Sequence, residues 1–148
     1  MKDETALTDT MTALDRLRVA EAMHAGVISV TRDTPLVEVA GLMSKQRIHC
    51  IVVTGPPEDP AAAGDLWGLV SDLDLAAAAE GDLTGRTAGG TAATPLVFVA
   101  PDDTLTHAAQ LMTEHSVAHL VVVDPLAGKP VGVISTLDVA RVVATGRA

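Results

Sequence analysis

The spacing of apolar positions changes several times along the chain, and each change marks an element. Between Thr8 and Met23, the positions Met11, Leu14, Leu17 and Ala20 or Glu21 recur at roughly helical spacing, which predicts a helix that Gly26 breaks. Val27-Ile28-Ser29-Val30 then reads as a short strand. Thr31-Arg32-Asp33-Thr34-Pro35 reads as a turn, with Asp33 or Thr34 expected to cap the next helix and Pro35 in its first turn. That helix carries Leu36, Val39, Ala40, Leu42 and Met43 on one face and runs to about Gln46. His49 to Thr54 is the next strand. The stretch from Gly55 to Asp65 is rich in Pro, Gly and acid, which predicts an exposed loop that is dispensable for folding. Leu66 to Ser71 is a strand that runs straight into a helix from Asp72 to Glu80.

Gly81 to Gly90, rich in Gly and Thr, reads as a linker, and after it the order returns. Leu96 to Val99 is a strand, and Asp102 or Asp103 is expected to cap a helix with Leu105, Ala108, Ala109, Leu111 and Met112. His119 to Asp124 and Val131 to Ser135 are strands, and the last helix runs from Thr136 to about Ala144. Arithmetic supports the duplication. Adding 69 takes Val30 to Val99, Asp33 to Asp102, Leu36 to Leu105, Ala40 to Ala109, Leu42 to Leu111, Met43 to Met112 and Val52 to Val121. Adding 64 takes Gly68, Ser71, Leu73, Asp74 and Ala76 to Gly132, Ser135, Leu137, Asp138 and Ala140. The difference, 69 − 64 = 5, is the extra length of the Pro-rich loop in the first half. An insertion confined to one loop is what a structural repeat tolerates.

The most distinctive matched feature is Gly-x-x-Ser-x-x-Asp at a strand-to-helix junction, present as Gly68/Ser71/Asp74 and Gly132/Ser135/Asp138. Free backbone N–H groups gather at such a junction, so a small anion can be held there. A Ser–x–x–Asp pair also has the form of a helix capping box, and capping alone would account for both copies.

Composition narrows the function. The formal net charge is −9 and aromatics are nearly absent, with one Trp, one Phe and no Tyr. A phosphate track needs clustered Lys and Arg, and base stacking needs aromatic faces, so nucleic acid is not an expected partner. Cys50 is the sole cysteine, so no intramolecular disulfide forms, and its apolar strand context predicts a buried thiol. No stretch has the length of a membrane span without a charge, and the start lacks signal-peptide order, which predicts a cytoplasmic protein. His115 and His119 are four apart but belong to a helix end and a strand, while His24, His49 and His107 have no partner cluster; no metal site is expected. No Walker-type or Gly-x-Ser-x-Gly motif and no nucleophile–base arrangement is visible, so an enzyme is not expected.

The strand–helix–strand–strand–helix order, with this motif at its last junction, resembles a CBS domain, and two in tandem resemble a Bateman module. The resemblance covers roughly Val19 to Ala144. It implies an α/β fold of two tandem β-α-β-β-α repeats with pseudo-twofold symmetry. The partition it implies is an N-terminal lead and helix over 1–18, a first repeat over 19–80, a linker over 81–90 and a second repeat over 91–148. It further implies a stand-alone regulatory module, binding an adenosine-containing nucleotide in the cleft between repeats and signalling to an effector protein. AMP, ADP, ATP, NAD or S-adenosylmethionine are the regulatory ligands implied, with no resident cofactor. In the family the Ser or Thr of the motif contacts phosphate or ribose and the Asp grips the ribose hydroxyls; here these are Ser71 and Asp74, and Ser135 and Asp138. The entry segment Ala93-Thr94-Pro95-Leu96 matches the stretch that lines the base pocket in the family, Val117 and His119 are expected near it, and Thr136, beside Ser135, is a further candidate ligand residue.

Asp72 adds a negative charge beside Ser71 whereas Thr136 is neutral, so the second half is the expected anion host. The basic residue that precedes the final Asp in many relatives is here Leu73 and Leu137, so the resemblance does not extend to a polyphosphate clamp. The helices after Asp74 and Asp138 are mostly apolar, and the resemblance implies a disc-shaped homodimer, parallel or antiparallel, made by them. The reading from another class is a ligand-free interaction scaffold of the same fold.

Overall fold

The computed structural model describes residues 13–55 and 66–148. The acidic lead, the start of the helix predicted from Thr8 and most of the Pro-rich loop lie outside the described residues. The chain divides into two compact units: Val27–Leu96 forms one, and the residues up to Gly26 join Val97–Ala148 in the other.

In the first of these, strands β2 (Ser29–Thr31), β3 (Cys50–Thr54) and β4 (Leu66–Ser71) lie in the order β2-β3-β4, parallel then antiparallel. Helix α2 (Leu36–Gln46) follows β2, α3 (Asp72–Ala78) follows β4, and a short α4 (Ala88–Thr91) completes the unit. Leu36, Val39 and Met43 repeat at helical spacing and bury the inner face of α2 against Ile51, Val53 and Val70. The other unit has a four-stranded sheet in the order β1-β7-β6-β5, from β1 (His24–Ala25), β5 (Phe98–Val99), β6 (His119–Asp124) and β7 (Lys129–Ser135). Helices α1 (Val19–Ala22), α5 (Leu105–His115) and α6 (Thr136–Thr145) accompany it. Its core is built from Val19, Val99, Leu105, Met112, Leu120, Ile134 and Val142.

Each half therefore has the expected β-α-β-β-α order, and the repeat extends to its irregularities. Both long helices end on a left-handed non-glycine residue, Arg47 at φ 55° and Ser116 at φ 53°, and 47 + 69 = 116. An L residue strains there, but the turn lets the Ile48 and Val117 N–H groups donate to the Met43 and Met112 carbonyls and closes each helix. Each hairpin has a register shift, after Val53 and after Val122, and 53 + 69 = 122.

Two local expectations need correction. The helix predicted through Met23 is interrupted: residues 13–16 are helical, but Arg18 is extended, at φ −97° and ψ 155°, before α1 starts. Here tertiary backbone bonds replace helical ones. Leu105 N–H donates to the Leu17 carbonyl, Val19 N–H donates to the Asp103 carbonyl, and Arg18 bridges Thr104. The predicted caps also differ. Pro35 occupies the N-cap of α2 with no side-chain bond, and Thr104 caps α5, its Oγ1 accepting from His107 N–H at 3.1 Å. Asp33 instead accepts from Thr31 Oγ1 at 2.6 Å, and Asp103 from Ala100 N–H at 2.9 Å. The end of the linker and the residues just after it are themselves packed. Ala88 and Thr91 are buried, Thr87 bridges Pro35, and Gly89 lies so close to Arg32 that a Cβ there would be 2.8 Å from the arginine Cβ.

The two entry segments are equivalent yet exchanged. Thr87 bridges Pro35 and Arg18 bridges Thr104, with 18 + 69 = 87 and 35 + 69 = 104. The segment that precedes the first repeat thus packs on the second, while the segment that precedes the second packs on the first.

Candidate functional site

At the end of β4 the chain turns into α3 with Ser71 still extended, at φ −99° and ψ 167°. That geometry brings its side chain over the first helical turn. Ser71 Oγ accepts from Asp74 N–H at 3.1 Å, and Ser71 N–H donates to Asp74 Oδ2 at 2.8 Å. Two of the helix's unpaired N-terminal donors are satisfied in this way. Thr94 adds a third contact: its Oγ1 donates to Asp74 Oδ2 at 2.8 Å and to Ser71 Oγ at 3.3 Å. Among the described residues Asp74 Oδ1 has no protein partner, and the residue is half-buried. Beside it, His49 Nδ1 lies 2.9 Å from Asp72 Oδ2 in an exposed pair.

The second copy has the same box with a different surround. Ser135 Oγ accepts from Asp138 N–H at 3.3 Å, Ser135 N–H donates to Asp138 Oδ2 at 2.8 Å, and Ser135 Oγ lies 3.0 Å from the same oxygen. On the other oxygen, Arg141 Nη1 donates to Asp138 Oδ1 at 3.0 Å and His24 Nε2 lies 3.2 Å away. The Asp138 side chain is 2% exposed. Burial of a carboxylate this deep requires such a full set of donors.

The residues singled out in the sequence thus fall into two groups. Ser71, Asp74 and Thr94 meet in one unit, with exposed Pro95 and half-buried Leu96 in the same unit. Thr94 was expected with Asp138, and the exchange of entry segments puts its hydroxyl on Asp74 instead. Ser135, Thr136, Asp138, Val117 and His119 share the other unit. Thr136 N–H donates to the Ala118 carbonyl at 2.9 Å, Val117 is in the core, and buried His119 faces Ser135 across β6 and β7.

His24 and His49, read as lacking a partner cluster, each meet a carboxylate that only the tertiary fold brings near. A signal for His24 exists in the register. It stands opposite Val133 as Thr94 stands opposite Leu69, and 69 + 64 = 133.

Other features of the described residues lie elsewhere. A cavity of about 370 Å³ is lined by Pro35, Val37, Asp82, Thr84, Arg86 and Thr87, among others, and by none of the motif residues. The Arg32 guanidinium stacks 4.3 Å over the Trp67 ring. No group of three or more His, Cys, Asp or Glu among the described residues could hold a metal ion. No helix among them is long and apolar enough to cross a membrane.

A family model for the CBS domain matches residues 19–81 and 91–145. Among solved structures, the chain is similar to a CBS domain protein from Pyrobaculum aerophilum complexed with AMP. That match has 28% identity and a TM-score of 0.69, over 87% of this chain and 99% of that one. It is also similar to the CBS domain pair of protein MJ0100 in complex with 5′-methylthioadenosine and S-adenosyl-L-methionine, at 19% identity and TM-score 0.75, over 88% of this chain and 98% of that one. The CBS domain of the bacterial CNNM/CorC family Mg2+ transporter has 21% identity and TM-score 0.75, over 98% and 85%. No curated protein matches the chain in sequence.

Proposed function

The chain belongs to the CBS domain family, and from that premise we propose that it is a regulatory ligand-sensing module that binds an adenosine-containing nucleotide at a Ser–x–x–Asp junction. The observation that carries this reading is the Asp74 carboxylate. One oxygen is pinned by Ser71 N–H and Thr94 Oγ1, and the other has no protein partner among the described residues. An acceptor held in place on one side and open on the other suits the two vicinal hydroxyls of a ribose. The AMP complex of the Pyrobaculum aerophilum protein, 28% identical to this chain, supports the same ligand class. Asp72 is less adverse than its charge alone suggests, because His49 shares its carboxylate.

The state of such a module passes to a partner protein, and a homodimer through α3 and α6 fits the exposed apolar side chains on those helices. Leu73 on α3 is 76% exposed, and Leu137 and Val143 on α6 are about half exposed. The reading includes no catalytic step.

A thermal-shift panel of AMP, ADP, ATP, NAD and S-adenosylmethionine tests it, since a ligand of the native state raises the melting temperature by mass action. A rise with at least one of them in wild type, and a clearly smaller rise in Asp74→Asn at the same ligand concentration, is the expected result. The second reading, a ligand-free scaffold, is favoured by the fact that both Ser–x–x–Asp pairs close as capping boxes. It predicts no shift with any of the five.

A further inference from the structure

We infer that the second copy of the motif is a site held shut by the chain's own side chains, so that the molecule takes one nucleotide per chain, at Asp74. The inference rests on the reading of the motif as a ribose site and asks what each copy has left to offer. A carboxylate presents about four lone-pair positions. Asp138 accepts three hydrogen bonds, from Ser135 N–H and Oγ on Oδ2 and from Arg141 Nη1 on Oδ1, and His24 Nε2 stands 3.2 Å from Oδ1 over the remaining position. A vicinal diol reaches that carboxylate only by evicting the last two.

Two sequence differences between the copies account for the contrast. Arg141 corresponds to Ala77, since 77 + 64 = 141, and an alanine has nothing to donate. The edge position opposite Val133 is His24, whereas the position opposite Leu69 is Thr94, whose hydroxyl reaches the oxygen already used for capping and leaves Oδ1 open. The guanidinium and the imidazole therefore stand on Asp138 where a ribose would donate. Asp138 works as a tie that joins β1, β7 and α6 rather than as a ligand group.

Calorimetric titration of AMP into the full chain tests this. The expected stoichiometry is one per chain. Asp74→Asn weakens binding at least about 10-fold, the loss of one charge-assisted hydrogen bond. Asp138→Asn leaves the affinity within about twofold but lowers the melting temperature more than Asp74→Asn does. The double variant His24→Ala/Arg141→Ala, which frees Oδ1, moves the stoichiometry towards two. A wild-type stoichiometry of two, or a loss of binding in Asp138→Asn with an unchanged melting temperature, overturns the inference. Absence of AMP binding in wild type overturns the ligand reading. The tie is then judged by the melting temperatures alone, and equal losses in the two Asp→Asn variants overturn it as well.

Discussion

Gly132 leaves no room for a side chain beside His24: a Cβ there would lie 2.5 Å from the His24 carbonyl oxygen and 2.8 Å from Met23 Sδ. The methionine side chain can swing aside, but the carbonyl belongs to β1, which pairs with β7 at this point. Gly132→Ala should therefore push β1 off the sheet edge and cost about 1–3 kcal/mol, the usual range for overpacking. Gly68→Ala, where the new Cβ would meet only the Ala92 Cβ at 3.1 Å, should cost less. Urea unfolding of the two variants checks the order, and equal costs would count against a tightly seated β1.

Thr94→Val keeps the β-branched shape at the edge of its sheet but removes the hydroxyl that donates to Asp74 and Ser71. We expect a loss of about 0.5–1.5 kcal/mol, as for one hydrogen bond at a half-buried position. Thr94→Ser should recover most of it in the same denaturation series. A neutral Val variant would mean the hydroxyl is as well served by water.

Cys50 is buried, and that burial, aided by the negative charge of Asp72, pushes its thiol from an ordinary 9.0 up to about 12. Because the folded chain holds this proton more tightly than the unfolded one, the contribution to stability is intact below pH 9.0 and is lost as the pH rises towards about 12. Stability should thus fall more between pH 8 and pH 10.5 in wild type than in Cys50→Ala. At pH 8 a thiol reagent should modify the native chain slowly and the urea-unfolded chain quickly.

Association through α3 and α6 makes a simple hydrodynamic prediction. Wild type should sediment as a dimer at micromolar concentration, and Leu137→Glu, which places a charge on the exposed face of α6, should sediment as a monomer with an unchanged far-ultraviolet spectrum. A wild-type monomer removes the homodimer from the proposal.

The repeat made most of this fold legible in the sequence. Offsets of 69 and 64 paired the helices of Leu36 and Leu105 and the junctions at Ser71 and Ser135, and even the left-handed ends at Arg47 and Ser116 obey them. The exchange of entry segments was not legible. Val19 and Ala88 are buried in the two cores, yet neither stood out in the sequence: the helical stripe ran through Leu17 and Ala20, and Ala88 lay in the stretch read as a linker. The strand His24–Ala25 is two residues long, too short for any alternation to register. The caps failed for a related reason. Asp33 and Asp103 have the right chemistry, yet the turns before α2 and α5 claim their carboxylates first. At the site, the motif residues were readable one by one, and Arg141, one turn after Asp138, was readable with them; His24 and Thr94, the edge residues that also distinguish the copies, depend on contacts across long stretches of chain.

The position of β1 also has a consequence for how the molecule is made. Ala25 pairs with Gly132, 132 − 25 = 107 residues later. At a synthesis rate of about 5–20 residues per second, roughly 5–20 s pass between the two leaving the ribosome. The stretch Val27–Leu96 can close on its own core in that time, but Val19, fully covered in the finished molecule, has nothing to cover it. The earliest described residues to be translated are thus among the last to find their place. A pause in translation once Leu96 has cleared the ribosome, before Gly132 has, would leave a finished unit joined to an apolar hook, the form most exposed to chaperones and proteases.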